Sequence, residues 1–181
     1  MSGFSDTWLI VPCYNEGTVI FDVLTNARET FPNIVGVNDG SADDSAAQIR
    51  AAGAHLVDHP VNLGQGAAIQ TGVEYARAQP GAKYFVTFDA DGQHQVKDVM
   101  RMIERLRTEP LDIIVGTRFA GQENSQVPWI KRAVLKTVVM LSPRTKKLGL
   151  TDAHNGLRAF NRRVAEEMNI RMNGMSHASE I

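Results

Sequence analysis

Two aspartates, Asp89 and Asp91, stand one residue apart at the end of the apolar run Tyr84-Phe85-Val86-Thr87-Phe88. In an extended strand, residues i and i+2 share a face. Two carboxylates so placed are hard oxygen ligands for Mg2+ or Mn2+. Such an ion takes a few protein carboxylates and completes its shell with water and substrate phosphate oxygens. The pair therefore suits a clamp that holds a metal ion and a diphosphate. Without the preceding strand, two turn-forming acids before Gly92 would be the better reading; with it, the clamp gains weight.

Other polar residues follow other apolar runs. Asp39 comes after Ile34-Val35-Gly36-Val37 and could accept a base N–H or hold a ribose hydroxyl. An ordinary turn aspartate in Asn-Asp-Gly-Ser is the competing reading, and both stay open. Asn62-Leu63-Gly64-Gln65-Gly66 leads into a helix whose N-terminus favours anions. Its glycines permit close backbone approach, or serve tight packing alone. The spacing matches neither a Walker loop nor G-x-G-x-x-G. His94 could be a third metal ligand or a phosphate contact, although a solvated loop histidine fits its position better. His55, His59, His154 and His177 show no spacing that suggests a metal site. Cys13 ends a strand and reads as a small core residue rather than a nucleophile. No Ser-His-Asp or Cys-His arrangement is legible.

These residues need a scaffold that gathers strand ends. Strand-length apolar runs alternate with helix-length segments: strand Trp8–Val11, helix 17–31, strand Ile34–Val37, a helix through Ala52, strand Ala54–Val57, helix Gly66–Arg77, strand Tyr84–Phe88, helix Val96–Arg107 and strand Asp112–Gly116. Gly53 stops the second helix, and Asp43 or Asp44 can cap it. Alternation at this interval predicts an α/β fold of βαβ units with a mainly parallel sheet. Ligands of such sheets bind beyond the carboxyl ends of the strands. Tyr14-Asn15-Glu16, Asn38-Asp39-Gly40-Ser41, Asp89-Ala90-Asp91 and Thr117-Arg118 all fall at those ends, so they are expected on one rim.

The 181 residues suffice for one domain with a real core. A net charge of −1 gives no global field for nucleic acid, so no nucleic-acid partner is expected. The lone cysteine predicts a reducing, cytoplasmic setting. The first seven residues lack the basic and apolar regions of a signal peptide. No run of 18 apolar residues is present to span a membrane. Residues 127–148, however, contain no acid, and Lys131, Arg132, Lys136, Arg144, Lys146 and Lys147 alternate with Trp129, Ile130, Val134, Val138 and Leu141. An interfacial helix has this pattern, and anionic lipid would contribute about 1 kcal/mol per basic residue near the surface. A helix packed on the sheet with solvated charges is the alternative.

Taken in order, the stretches Val11–Glu16, Val37–Ser41, Asn62–Ala67, Phe88–His94, Gly116–Phe119 and Asp152–Phe160 resemble family-2 glycosyltransferases of the GT-A fold. The resemblance is strongest to the polyprenyl- and dolichyl-phosphate sugar synthase branch. It implies a GT-A (Rossmann-like), mainly parallel sheet flanked by helices, an NDP-sugar donor (UDP- or GDP-linked), Mg2+ or Mn2+, and inversion at the anomeric carbon. By position, Pro12, Tyr14, Asn15, Glu16, Asp39 and Gly64 would bind the donor with Asp89 and Gln93. Asp89 and Asp91 would hold the metal, with Asp91 at the reacting centre. Arg118 and Arg132 would contact the acceptor phosphate, and Asp152 and Arg158 lie in the acceptor-side motif. An ionised lipid phosphate is already a nucleophile; a hydroxyl acceptor would need a base, for which Glu180 is the candidate.

The resemblance spans nearly the whole chain as one domain. Residues 1–118 would form the donor half and 119–181 an acceptor and membrane-facing half. Family chains continue well past this length, so a fragment of a longer protein working at the cytoplasmic face of the membrane is expected. Two other readings remain: transfer to a saccharide hydroxyl, and a non-catalytic sugar-nucleotide-binding domain. A sugar-1-phosphate nucleotidyltransferase fits less well, because its basic glycine-rich loop after the first strand is missing.

Overall fold

Runs that are apolar at every position need cover on both faces, and that is how the central strands are used. The computed structural model describes residues 3–90, 95–116 and 157–170. Among them are strands β1 (Thr7–Cys13), β2 (Asn33–Asn38), β3 (His55–Asp58), β4 (Tyr84–Thr87), β5 (Ile113–Val115) and β6 (Arg158–Asn161). The helices are α1 (Ile20–Arg28), α2 (Ser45–Ala51), α3 (Gln65–Arg77), α4 (Val96–Thr108) and α5 (Arg162–Glu167).

The strands form one sheet in the order β3-β2-β1-β4-β6-β5. β1 pairs in parallel with β2 and β4, and β2 with β3. β6 lies antiparallel between β4 and β5, so the sheet is mainly parallel, as expected. The chain steps outward from β1 to β2 and β3, then returns to place β4 on the other side of β1. Strand order therefore reverses between β1 and β4. A crevice opens at such a switch point, outside the carboxyl ends of the two strands.

Successive side chains on β1 serve opposite faces. Leu9, Val11 and Cys13 join Val86 and Phe88 under α1, α2 and α4, while Trp8 and Ile10 join Val35, Val37, Phe85 and Phe160 under α3 and α5. α4 buries Val99, Met102, Ile103 and Leu106, one stripe at helical spacing. Phe85 and Phe160 stack with centroids 5.9 Å apart, which fastens β6 to β4.

α3 works differently, by being thin. A Cβ on Gly72 would lie 2.4 Å from Ile10 Cγ2 and 3.2 Å from Val37 Cγ2. The missing side chain is what lets the helix settle on β1 and β2. Gly72→Ala should therefore destabilise the domain by about 1–3 kcal/mol, despite alanine's better helix propensity. Urea unfolding midpoints check this; a stabilised variant would show that the β-branched Ile10 can yield.

The first helix starts later than its apolar spacing suggests. Val19 N and Ile20 N both donate to Glu16 O, closing a turn, and the helix proper begins at Ile20. Val19, just ahead of it, is exposed. β4 ends at Thr87, although Phe88 N still donates to Ile10 O at 2.9 Å. Among the described residues no helix is long and apolar enough to cross a membrane.

Candidate functional site

The rim beyond β1 and β2 is latched together by its own polar residues. Asn15 adopts φ 55°, a left-handed conformation that asparagine tolerates better than most side chains. Its N–H donates to Ser41 Oγ at 2.9 Å, and its Oδ1 accepts from Ala42 N at 2.9 Å. Glu16 N donates to Ser45 Oγ, and Gly17 N to Asp43 Oδ2. The Ser45 hydroxyl holds the Asp43 carboxyl below the usual carboxylate range. These bonds pair backbone N–H groups with the side chains of Asn15, Ser41, Asp43 and Ser45, and they leave the neighbouring Tyr14 50% exposed on the rim. Pro12 sits half-buried within β1, and Cys13 is buried, which pushes its thiol pKa up.

Asp39 is more deeply committed than a turn aspartate would be. It is 3% exposed. Its Oδ1 accepts from Leu63 N at 2.9 Å and meets His59 Nδ1 at 2.8 Å, while its Oδ2 accepts from Gly64 N at 2.8 Å. Sequence reasoning expected an anion at the glycine-rich turn before α3. Asp39 is itself an anion on that turn and fills two of its backbone donors. Gly64, at φ 93°, supplies the sharp entry into the helix. On its other ring nitrogen, His59 Nε2 lies 3.0 Å from Thr71 Oγ1 on α3. The buried chain Asp39–His59–Thr71 thus joins the ends of β2 and β3 to α3.

Across the switch point stands Asp89, part-exposed, just past the end of β4. Gln65 at the start of α3 reaches its Oδ1 at 3.4 Å. Because β6 runs antiparallel to β4, its first residue, Arg158, arrives at the same rim, in register with Thr87. Arg158 N donates to Thr87 Oγ1 at 3.2 Å, and the residue is 3% exposed. Burial pushes the Arg158 guanidinium below its ordinary value, and the Asp89 carboxylate opposes that shift. A motif placed on the acceptor side by resemblance therefore contributes a cation beside the first aspartate.

The fold gathers Tyr14, Asn15, Glu16, Asp39, Gly64, Asp89 and Arg158 along one sheet edge, with Pro12 just inside it. Asp91, Gln93, His94, Arg118, Arg132, Asp152, Glu180 and the basic segment 127–148 lie outside the described residues. The same-face argument for Asp89 and Asp91 reaches only the first of them, since Ala90 already sits in a turn. His59 and Thr71 were missed. A signal for His59 is present in the sequence: it follows an apolar strand just as Asp39 does.

Among the described residues no group of three or more His, Cys, Asp or Glu side chains could hold a metal ion by itself. The donor chemistry still fits Mg2+ or Mn2+. Such ions accept one or two carboxylates and take the rest of their shell from phosphate and water, and Asp89 offers a hard oxygen at a strand end.

Comparison with known proteins decides the family. The profile of glycosyl transferase family 2 matches residues 8–168. The chain belongs to this family. Among curated relatives, this family-2 domain is 29% identical over 174 residues to the UDP-N-acetylglucosamine–dolichyl-phosphate N-acetylglucosaminyltransferase of Methanococcus voltae, matching 86% of this chain and 69% of that protein. It is 27% identical over 173 residues to the polyprenol monophosphomannose synthase of Mycolicibacterium smegmatis, matching 91% of this chain and 64% of that one. These relatives bear out the resemblance to the polyprenyl-phosphate sugar branch. Among solved structures, glucosyl-3-phosphoglycerate synthase from Mycobacterium tuberculosis, in complex with Mn2+, UDP and phosphoglyceric acid, superposes with a TM-score of 0.62 at 20% identity. The match covers 90% of this chain and 57% of that one, and it bears out the GT-A fold. The family-2 domain thus spans little more than half of that solved chain.

Proposed function

We propose that this domain moves a sugar, with inversion, from a nucleoside-diphosphate sugar to a polyprenyl phosphate. The observation that carries the reading is the placement of Asp39 and Asp89 on either side of the β1–β4 switch point. One carboxylate serves the nucleoside end of a donor and the other its diphosphate.

In this reading Pro12, Tyr14, Asn15, Glu16 and Asp39 hold the nucleoside, with the exposed Tyr14 ring available to stack on the base, and Gly64 belongs to the donor site with them. Asp89 and Asp91, with Gln93 nearby, hold Mg2+ or Mn2+. When bound, the ion neutralises charge that develops on the departing diphosphate. A phosphate oxygen of the acceptor attacks the anomeric carbon in line, the bond from that carbon to the diphosphate oxygen breaks, and the nucleoside diphosphate leaves with the electron pair. No proton moves, because the acceptor phosphate is already ionised. Glu180 is needed as a base only if the acceptor is a hydroxyl. Arg118 and Arg132 take the acceptor phosphate, with Asp152 and Arg158 on the same side. The proximity of Arg158 to Asp89 supports a place for it between the two phosphate groups. Residues 127–148 rest on the cytoplasmic face of an anionic membrane, where a lipid acceptor resides.

Calorimetry with UDP and GDP, each with and without Mn2+, tests the donor half. One of the two should bind in Mn2+ and lose at least tenfold in affinity without it, about 1.4 kcal/mol. Equal affinity in the two conditions would sink the clamp.

A further inference from the structure

Among the described residues, the rim contains one buried histidine, His59, that the proposed chemistry leaves unused. We infer that His59 is a positioning residue, which locks the Asp39 carboxylate in the orientation that reads the nucleoside. The inference rests on the donor reading above and assigns a role to a residue to which that reading gives none.

A carboxylate offers about two lone-pair positions on each oxygen. Among the described residues, Oδ1 of Asp39 has two partners, His59 Nδ1 and Leu63 N, whereas Oδ2 has one, Gly64 N. The remaining acceptor position is on Oδ2. A base N–H or a ribose hydroxyl can be taken there, and an acceptor group cannot. Which oxygen is left to the ligand depends on what fixes the rotation of the carboxylate. The two backbone donors belong to a loop, in which Val61 and Leu63 are exposed. Among the described residues His59 is the one side-chain donor to Asp39, and it is anchored at three points. Its N–H continues the sheet ladder to Asn38 O at 2.9 Å, its Nδ1 meets Asp39, and its Nε2 meets Thr71.

The chemistry also fixes the ring's direction. An ionised carboxylate only accepts, so Nδ1 carries the proton. In the neutral ring Nε2 then accepts from the Thr71 hydroxyl, and α3 holds the tautomer that Asp39 requires. Replacing His59 by leucine removes both bonds while filling the space. The carboxylate is then free to turn, and the loop at Leu63 and Gly64 loosens with it. Replacing it by asparagine puts an amide N–H near the position of Nδ1 and retains the donor to Asp39.

The test measures two affinities of the 181-residue chain in Mn2+: one for UDP and GDP, the other for inorganic pyrophosphate, which has no nucleoside. His59→Leu should weaken the better nucleoside diphosphate about tenfold or more while leaving pyrophosphate unchanged. His59→Asn should recover most of the loss. Thr71→Val, at a half-buried helix position, should shift the same ratio in the same direction, and it carries the test if the leucine variant fails to fold. A merely structural histidine would lower the unfolding midpoint without changing the ratio of the two affinities. An unchanged ratio in His59→Leu and Thr71→Val, or equal losses for both ligands, would overturn the inference alone. Wild-type protein that binds neither UDP nor GDP would instead remove the donor reading on which it rests.

Discussion

Asp89→Ala is expected to abolish metal-dependent donor binding in a domain that remains folded. Loss of a residue that merely orients a metal ligand typically costs 10- to 100-fold in metal affinity, so loss of a ligand itself should cost about 100-fold or more. The effect should appear as a collapse of UDP or GDP affinity in Mn2+ toward the metal-free value, read by calorimetry. The core does not depend on Asp89, which is only part-buried beyond the end of β4. Some stability should nevertheless be lost. The Asp89 carboxylate offsets part of the cost of burying Arg158, and removing it leaves that guanidinium less well compensated. Asp89→Asn deletes the same charge but preserves shape and keeps an oxygen for Gln65, so comparing it with Asp89→Ala isolates what the side chain contributes beyond its charge. Both variants should lose the metal-dependent increment, and the alanine variant should be the less stable. An asparagine variant whose affinity still rises with Mn2+ would show that the ion, if any, sits elsewhere.

What the sequence made legible follows from how each element is buried. β1 and β2 are covered on both faces, so Trp8–Val11 and Ile34–Val37 stand out as continuous apolar runs. β6 gave no such signal. It is four residues long, begins with an arginine, and enters the sheet from more than 40 positions past β5 in the chain. Its motif is legible, but its pairing between β4 and β5 is a long-range fact that local pattern does not encode. The start of α1 differs from its expected position for a related reason. Glu16 and Gly17 spend their N–H groups on Ser45 and Asp43, 26 to 29 residues away, and this tertiary demand holds the chain in a turn where apolar spacing favours helix. Asp39 shows the same limit at the site. Residue type left turn and ligand open, and only the fold reveals a buried carboxylate that organises the loop ahead of α3. The part of the rim at the ends of β1, β2 and β4 was legible, because strand alternation and polar strand ends together fix which residues share an edge.

Gly40→Ala should be among the most damaging single-methyl changes on the rim. Gly40 has φ +69°, which costs an alanine about 1–2 kcal/mol by itself. The added Cβ would also lie 2.5 Å from Asn62 N and Val61 C, and 2.9 Å from Val61 Cα. Those are backbone atoms, so no rotamer change relieves the overlap, and the loop from Val61 must move. That loop delivers Leu63 N and Gly64 N to Asp39, which couples stability to the nucleoside end of the site. The total loss should reach about 3 kcal/mol or more, with a parallel fall in UDP or GDP affinity. Gly81 supplies the control. It has φ +79°, but nothing lies within 4 Å of the place a methyl group would take there, so Gly81→Ala carries the backbone cost alone. Urea unfolding of the two variants side by side isolates the overlap: Gly40→Ala should be the less stable by at least about 1 kcal/mol, roughly the cost of overpacking a fixed contact. Equal midpoints would mean that the loop ahead of α3 yields without resistance, and Asp39 would then be holding a segment that does not hold its shape in return.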